Sequence, residues 1–404
     1  MTRTALQARP ATTRPLAFAA VTFLFAVTMV GTTVTTPLYA NWERDFGFGP
    51  ITTTCVFAIY AVGVMAALVL SGRSSDVDGR RPVLAVAAAL SAVAASLFIV
   101  ADGTAVLFVA RLVSGLSAGL ATAAGTAALV DLAGPDRRVL RTVVPGMVNF
   151  FGLGAGPLLG GIVAQGSSDP TNRPFELDLV LLAVAVVVGM IPADPVTRQG
   201  PFVTVERPRV ALPEDGRATF VAAAVGGFVI FALIGLFTSL VPTFLGQTLH
   251  QHNPAVVGAT VALVFGVSVV TQLGLALARV PSGRAVEIGL VLLVVALGLI
   301  VASLDVASYP LFLVGTGVAG LAVGAAFSGA LATVLSVAAD HERGQVSSAF
   351  YLIAYVGLTI PVIVVGIGIA EAGIVPTVTI AAAALGALGV GALVFLRRRP
   401  APTG

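Results

Sequence analysis

The chain has 404 residues, of which 57% are hydrophobic and 10% charged, with a formal net charge of +3. A mean hydropathy of +1.01 over that length excludes a soluble globular domain. The single cysteine, Cys55, excludes an intramolecular disulfide and a cysteine metal cluster.

Apolar stretches long enough to cross a bilayer core as helices, which takes about 20 residues, recur along the whole chain, and twelve spans are expected. In the first half they cover 16–39, 51–71, 82–101, 104–130, 143–164 and 179–191, the last being the shortest. A polar stretch, 192–217, separates them from 218–245, 255–278, 286–304, 311–337, 346–370 and 374–396. The first stretch is too long for a signal-peptide core, so it counts as a span. The expected fold class is an all-α membrane protein of twelve transmembrane helices in two six-helix bundles. Residues 1–192 make the N-terminal bundle, 193–217 a cytoplasmic linker and 218–404 the C-terminal bundle.

Arginine sets the orientation, because the chain contains no lysine and all 22 basic residues are arginines. With the N-terminus inside, nineteen arginines fall in inner loops and tails, Arg44 and Arg173 in outer loops, and Arg111 within a span. Basic residues concentrate on the cytoplasmic side, so both termini are expected there. The slight positive charge then concerns orientation and anionic lipid, and no nucleic acid is implied. Heavy alanine, valine, glycine and arginine usage points to a GC-rich bacterial genome, and the expected location is the bacterial inner membrane. Tyr39 and Trp42 fall where an outer aromatic belt is expected.

The chain also matches itself at an offset of 205 residues. Pro37 meets Pro242, Gly115 and Gly119 meet Gly320 and Gly324, and Gly152 and Gly161 meet Gly357 and Gly366. With six spans per half, both halves enter the membrane in the same direction, as a parallel repeat about the membrane normal.

Three stretches carry specific patterns. After span 2 comes "GRSSDVDGRRPVL", with Gly72, Asp76, Gly79, Arg80 and Arg81; glycine permits close helix approach, and an aspartate at a helix end accepts hydrogen bonds from free N–H groups. Span 4 contains "RLVSGLSAGL", with Arg111, Gly115 and Gly119. An arginine at that depth costs at least about 2.5 kcal/mol, so it must face protein or a water-filled cavity. Span 5 contains "NFFGLGAGPLLGGIV", five glycines and a proline in an apolar run. Each glycine inside a helix costs about 1 kcal/mol relative to alanine. Gly152, Gly156 and Gly160 lie four apart on one helical face, where a neighbouring backbone can approach closely. Pro157 frees a carbonyl near Leu153.

These patterns resemble the major facilitator superfamily over essentially the whole chain. The loop after span 2 is similar to the family's loop signature, although Ser74 stands where the family usually has leucine and Val77 where it often has arginine. In the family, Asp76 would meet the start of span 11, near 344–347. The spacing of Arg111, Gly115 and Gly119 resembles the fourth-span motif associated with proton-coupled members. Gly152, Gly156, Pro157, Gly160 and Gly161 resemble the fifth-span antiporter motif of drug and metabolite exporters.

The resemblance implies a central cavity lined by spans 1, 4, 7 and 10, with 2, 5, 8 and 11 beside them. Candidates there are Thr32, Thr33, Tyr60, Arg111 and Asn149 from the first half, and Phe231, Gln272, Phe327, Tyr351 and Tyr355 from the second. All nineteen acids fall in loops, tails or span ends, so a deeply buried carboxylate is not expected, and proton coupling would use a span-end acid such as Asp76 or Asp131. His250 and His252 read as a solvated pair, and no metal or cofactor is implied. Because no buried acid is expected to neutralise Arg111, an anionic substrate, or a neutral one rich in acceptors, is favoured.

The expected activity is export of a small organic molecule by alternating access, with protons as the coupling ion, in a monomer embedded in lipid. A sugar, amino-acid or other metabolite permease on the same fold is the alternative, and a membrane sensor without transport is a further one. No nucleotide-binding glycine loop is present, so ATP is not the energy source. The protein is not expected to be an enzyme.

Overall fold

A computed structural model describes residues 14–70, 80–133, 142–191, 212–213, 216–248, 251–338 and 343–398. Among these the regular secondary structure is all helical. Span 1 is Arg14–Thr33, followed by a 3-10 turn, Thr36–Leu38, and a short helix, Tyr39–Phe46. Spans 2 to 6 are Pro50–Leu70, Arg80–Ile99, Thr104–Ala133, Val144–Gln165 and Arg173–Met190. Spans 7 to 12 are Arg217–Gln247, Pro254–Leu277, Ser282–Asp305, Tyr309–Val337, Arg343–Ala372 and Ile374–Arg397.

Eleven of the helical segments are long and apolar enough to cross a membrane on composition alone. Span 6 falls short because Arg173, Glu176 and Asp178 all lie in its first two turns. The sequence places the start of this span at residue 179. The structure starts the helix six residues earlier and so draws Asp178 into it.

Small residues set the packing, as expected where lipid removes most of the hydrophobic drive for helix association. A methyl group at Gly119 would stand 2.6 Å from Ala67 Cβ and 2.8 Å from the Val64 carbonyl, so span 4 lies directly on span 2. Gly324 does the same for span 10, 2.6 Å from the Ser268 carbonyl of span 8. Span 5 is held between two neighbours. Gly152 and Gly160 meet the Ala26 and Val34 carbonyls, each at 2.6 Å from a methyl group built there, while Gly154 and Gly161 meet Phe265 and Pro254 of the other half. On the opposite side of the molecule Gly366 of span 11 abuts Thr54 of span 2. Spans 5 with 8 and 2 with 11 therefore join the halves.

Span 1 reaches residue 39 and runs on to Phe46, but its α-helix ends at Thr33 and continues through a 3-10 turn at Thr36–Leu38, around Pro37. One further sequence expectation is corrected. Tyr39 and Trp42 do not form an aromatic belt; both are buried, and Trp42 stacks on Phe98 and Phe175 at centroid distances of 5.5 and 6.1 Å. The short helix Tyr39–Phe46 ends on a left-handed Gly47 and turns these rings inward to plug that end of the first bundle.

Candidate functional site

Between the halves lies a cavity of about 50 Å³. Its walls include nine of the ten residues picked out by sequence: Thr32, Thr33, Tyr60, Arg111 and Asn149 on one side, and Phe231, Phe327, Tyr351 and Tyr355 on the other. Gln272 stands apart, buried beside Gly146 on the face where span 8 meets span 5. Phe57, Thr36, Phe150, Leu153, Ile234, Thr238, Phe265 and Leu358 complete the lining. Several of these were recoverable from helical spacing. Phe57 lies three residues before Tyr60, and Ile234 and Thr238 lie three and seven after Phe231, so each shares a face with a chosen residue.

Arg111 is 1% exposed and is the largest charged group in the site. Span 4 delivers it seven residues from its start, and Gly115, one turn on, lets the span 2 backbone at Tyr60 come close enough to stack under the guanidinium. The guanidinium carbon sits 4.5 Å from the Tyr60 ring centroid and 5.5 Å from that of Phe57, two cation–π contacts. Nη1 donates to the Thr32 carbonyl at 2.7 Å and to Thr35 Oγ1 at 3.4 Å. The Nε–H has no partner, and neither does the side-chain oxygen of Asn149 on span 5. A donor and an acceptor thus remain unused at a buried cavity, where each is costly to leave unmet.

Span 5 links this site to span 1. Gly156 lies against Thr33 and the Val30 carbonyl. The carbonyl of Leu153, four residues before Pro157, has lost its helical partner and accepts a hydrogen bond from Thr33 Oγ1 at 2.9 Å. The freed carbonyl expected from the proline is therefore met by a hydroxyl of the span the glycines admit.

The largest departure from sequence concerns acids. Asp178 is 1% exposed, and neither carboxylate oxygen has a hydrogen-bond partner. A methyl group at Gly31 would stand 2.6 Å from its Oδ2 and 2.9 Å from Ser91 Oγ, so the carboxylate is wedged between spans 1 and 3. The expectation that no acid lies buried is overturned, because the earlier helix start and the packing of span 6 on its neighbours carry Asp178 inside.

On the side of the first bundle where spans 3 and 4 begin and end, Arg80 pairs with Asp131 at 3.0 Å, which engages one of the acids considered for proton coupling. Arg81 donates to the Gly189 carbonyl of span 6 at 3.4 Å. Gly72, Asp76, Gly79, His250 and most of the linker lie outside the described residues. Among the described residues no group of three or more histidine, cysteine or acidic side chains is placed to hold a metal.

A family model described as Major Facilitator Superfamily matches residues 21–360. A tetracycline resistance protein, class G, of Vibrio anguillarum is 28% identical over 211 residues, 51% of this chain and 52% of that protein. The transporter traF of Penicillium crustosum is 29% identical over 142 residues, 35% of this chain and 30% of its own length. The chain thus aligns with about half or less of these curated relatives. Among solved structures, the human organic anion transporter MFSD10 (TETRAN) superimposes with a TM-score of 0.69 at 17% identity, covering 96% of this chain and all of that one. A bacterial homologue of the human lysosomal transporter Spinster, inward-facing and unoccupied, superimposes with a TM-score of 0.65 at 16% identity, covering 96% of each chain.

Proposed function

The chain belongs to the Major Facilitator Superfamily, a family of transporters, and is a multi-pass membrane protein; from that premise we propose that it exports a small organic molecule by alternating access in exchange for protons. The observation that carries the reading is Arg111, a buried cation with an unused donor at a cavity shared by both halves. Alternating access has the two halves that share this cavity separate on one side and close on the other. Span 5, wedged between spans 1 and 8, is the element about which such a motion turns. Export is favoured over uptake by the glycine and proline pattern of span 5 and by the tetracycline resistance relative.

The cargo is anionic, or neutral and rich in acceptor oxygens. A guanidinium with a free N–H recognises such groups by charge-assisted hydrogen bonds, whereas a lipophilic cation would meet repulsion there. The protein works as a monomer in a bacterial inner membrane with both termini cytoplasmic. A reporter active only in the cytoplasm should be active when fused after Arg399 or within 199–216, and activity from a fusion at His252 would overturn that orientation.

Binding to purified protein tests the cargo. Fluorescein as an organic anion, chloramphenicol as a neutral acceptor-rich molecule and ethidium as a lipophilic cation form a minimal panel. The reading expects one of the first two to bind and to lose binding in Arg111→Ala. Tight ethidium binding that survives in the alanine variant would refute it.

A further inference from the structure

Asp178 has no part in the cavity, yet among the described residues it is the only buried acid. It lies five residues into span 6, about 8 Å along the helix, against Gly31 of span 1 and Ser91 of span 3. The spans that pack on span 6 are 1, 3 and 5. Their titratable groups are few: span 1 has only Arg14 and span 3 only Arg80 and Arg81, all at the far end from Asp178, and span 5 has none. On its own helix Glu176 is paired with exposed Arg173 at 2.6 Å. Among the described residues no cation is therefore in place to balance an ionised Asp178. An ionised carboxylate without hydrogen bonds in such surroundings is far too costly, so this packing accommodates the neutral acid.

Gly31, which backs Asp178, is followed directly by Thr32, whose carbonyl holds Arg111 Nη1 at 2.7 Å. We propose that Asp178 is the proton-carrying group of this transporter, and that its protonation state reaches Arg111 through these two consecutive residues of span 1. This rests on the reading of the chain as a proton-driven exporter. The proton is bound as Asp178–COOH while spans 1 and 6 are in contact. On release to water the carboxylate cannot stay against Gly31, so that contact must open, and the Thr32 carbonyl moves with it. Arg111 Nη1 is then freed to meet an acceptor on the cargo. Proton and cargo exclude one another, which is the condition for exchange.

The same geometry narrows the cargo. A bound anion at Arg111 would be favoured by a neutral Asp178 and opposed by an ionised one, and by reciprocity it would hold the proton on. For a strict anion this coupling would work against the exchange. Exchange therefore selects a neutral, acceptor-rich molecule, for which Asn149 offers an additional unused oxygen as an acceptor for a cargo donor.

The test uses the full chain in proteoliposomes. Infrared spectra of the wild type at neutral pH should contain a carboxylic acid carbonyl band that is lost in Asp178→Asn and shifted in Asp178→Glu. An imposed proton gradient should move labelled chloramphenicol in the wild type, and this gradient-driven movement should be lost in Asp178→Asn while gradient-free exchange of chloramphenicol persists. A band unchanged in both variants, or an asparagine variant driven like the wild type, overturns the role of Asp178. If the asparagine variant fails to insert, the glutamate variant decides through its band. A wild type that moves none of the three probes along the gradient overturns proton-driven export itself, a separate outcome from an intact wild type beside an unimpaired Asp178→Asn.

Discussion

Gly119 seats span 4 on span 2 as Gly324 seats span 10 on span 8, and Gly152 seats span 5 on span 1 as Gly357 seats span 11 on span 7 at the Phe228 carbonyl. At the same offset of 205 residues the chemistry changes: Arg111 is matched by Thr316, Tyr60 by Phe265 and Asp178 by Ala383. Among the described residues both buried side chains of a normally charged type, Arg111 and Asp178, belong to the first half, and the buried polar residues of the second are threonines, serines and one glutamine. The repeat thus duplicates the positions where backbones touch and leaves the other positions free to diverge. One wall of the cavity carries charge and hydroxyls, while the other, with Phe231, Phe327, Tyr351 and Tyr355, is mainly aromatic. An asymmetric cavity of this kind can hold a molecule with one polar edge and one flat apolar face.

If the first half supplies the recognition chemistry, removing its cation should have the largest effect. Arg111→Ala should weaken binding by about 3 kcal/mol, on the order of a hundredfold, because it deletes a buried charged donor. Arg111→Lys should be impaired less but clearly, since lysine keeps the charge and loses the planar fork stacked on Tyr60. Equilibrium binding of fluorescein and chloramphenicol measures both. Equal binding in all three proteins would remove the distinction between the halves.

The duplicated scaffold makes an intermediate prediction. Gly152→Leu and Gly357→Leu should both insert, since insertion follows apolarity, and both should impair transport to a similar degree, since each forces apart a backbone contact of the same kind. Gly156→Leu should behave likewise by separating spans 5 and 1. Proteoliposome transport at matched expression is the measurement. A mild Gly357→Leu beside a severe Gly152→Leu would show that the second half is the more deformable one.

The smallest effect concerns the hydroxyl that meets the carbonyl freed by Pro157. Thr33→Val should lower stability by about 1 kcal/mol, the usual net value of a single hydrogen bond, and thermal unfolding in detergent should record it as a modest fall in midpoint. Pro361 of span 11 is also inside a helix, but the second half has no counterpart of the Thr33 to Leu153 bond among its side-chain hydrogen bonds at the described residues. Thr359→Val, whose hydroxyl bonds only within its own helix to the Tyr355 carbonyl, should cost less.

Much of this was legible in the amino-acid order. Apolar run lengths determine the spans, the constant offset determines the repeat, and glycines spaced by four mark the face of span 5 that meets span 1, because each depends only on residues near in sequence. The family resemblance, which puts spans 1, 4, 7 and 10 around a cavity with 2, 5, 8 and 11 beside them, points to the ten chosen residues, nine of which line one cavity. Gln272 escaped, since a polar side chain on a half-buried helix does not declare which neighbour it faces. The ends of helices escaped as well. Whether "RPFELDLV" belongs to a loop or to span 6, and whether Tyr39 and Trp42 face lipid or the bundle, depends on what lies across from them: Gly31 and Ser91 in one case, Phe98 and Phe175 in the other. Burial of a charge is a property of the surrounding helices and not of the helix that bears it, so only the tertiary structure decided that Asp178 lies inside.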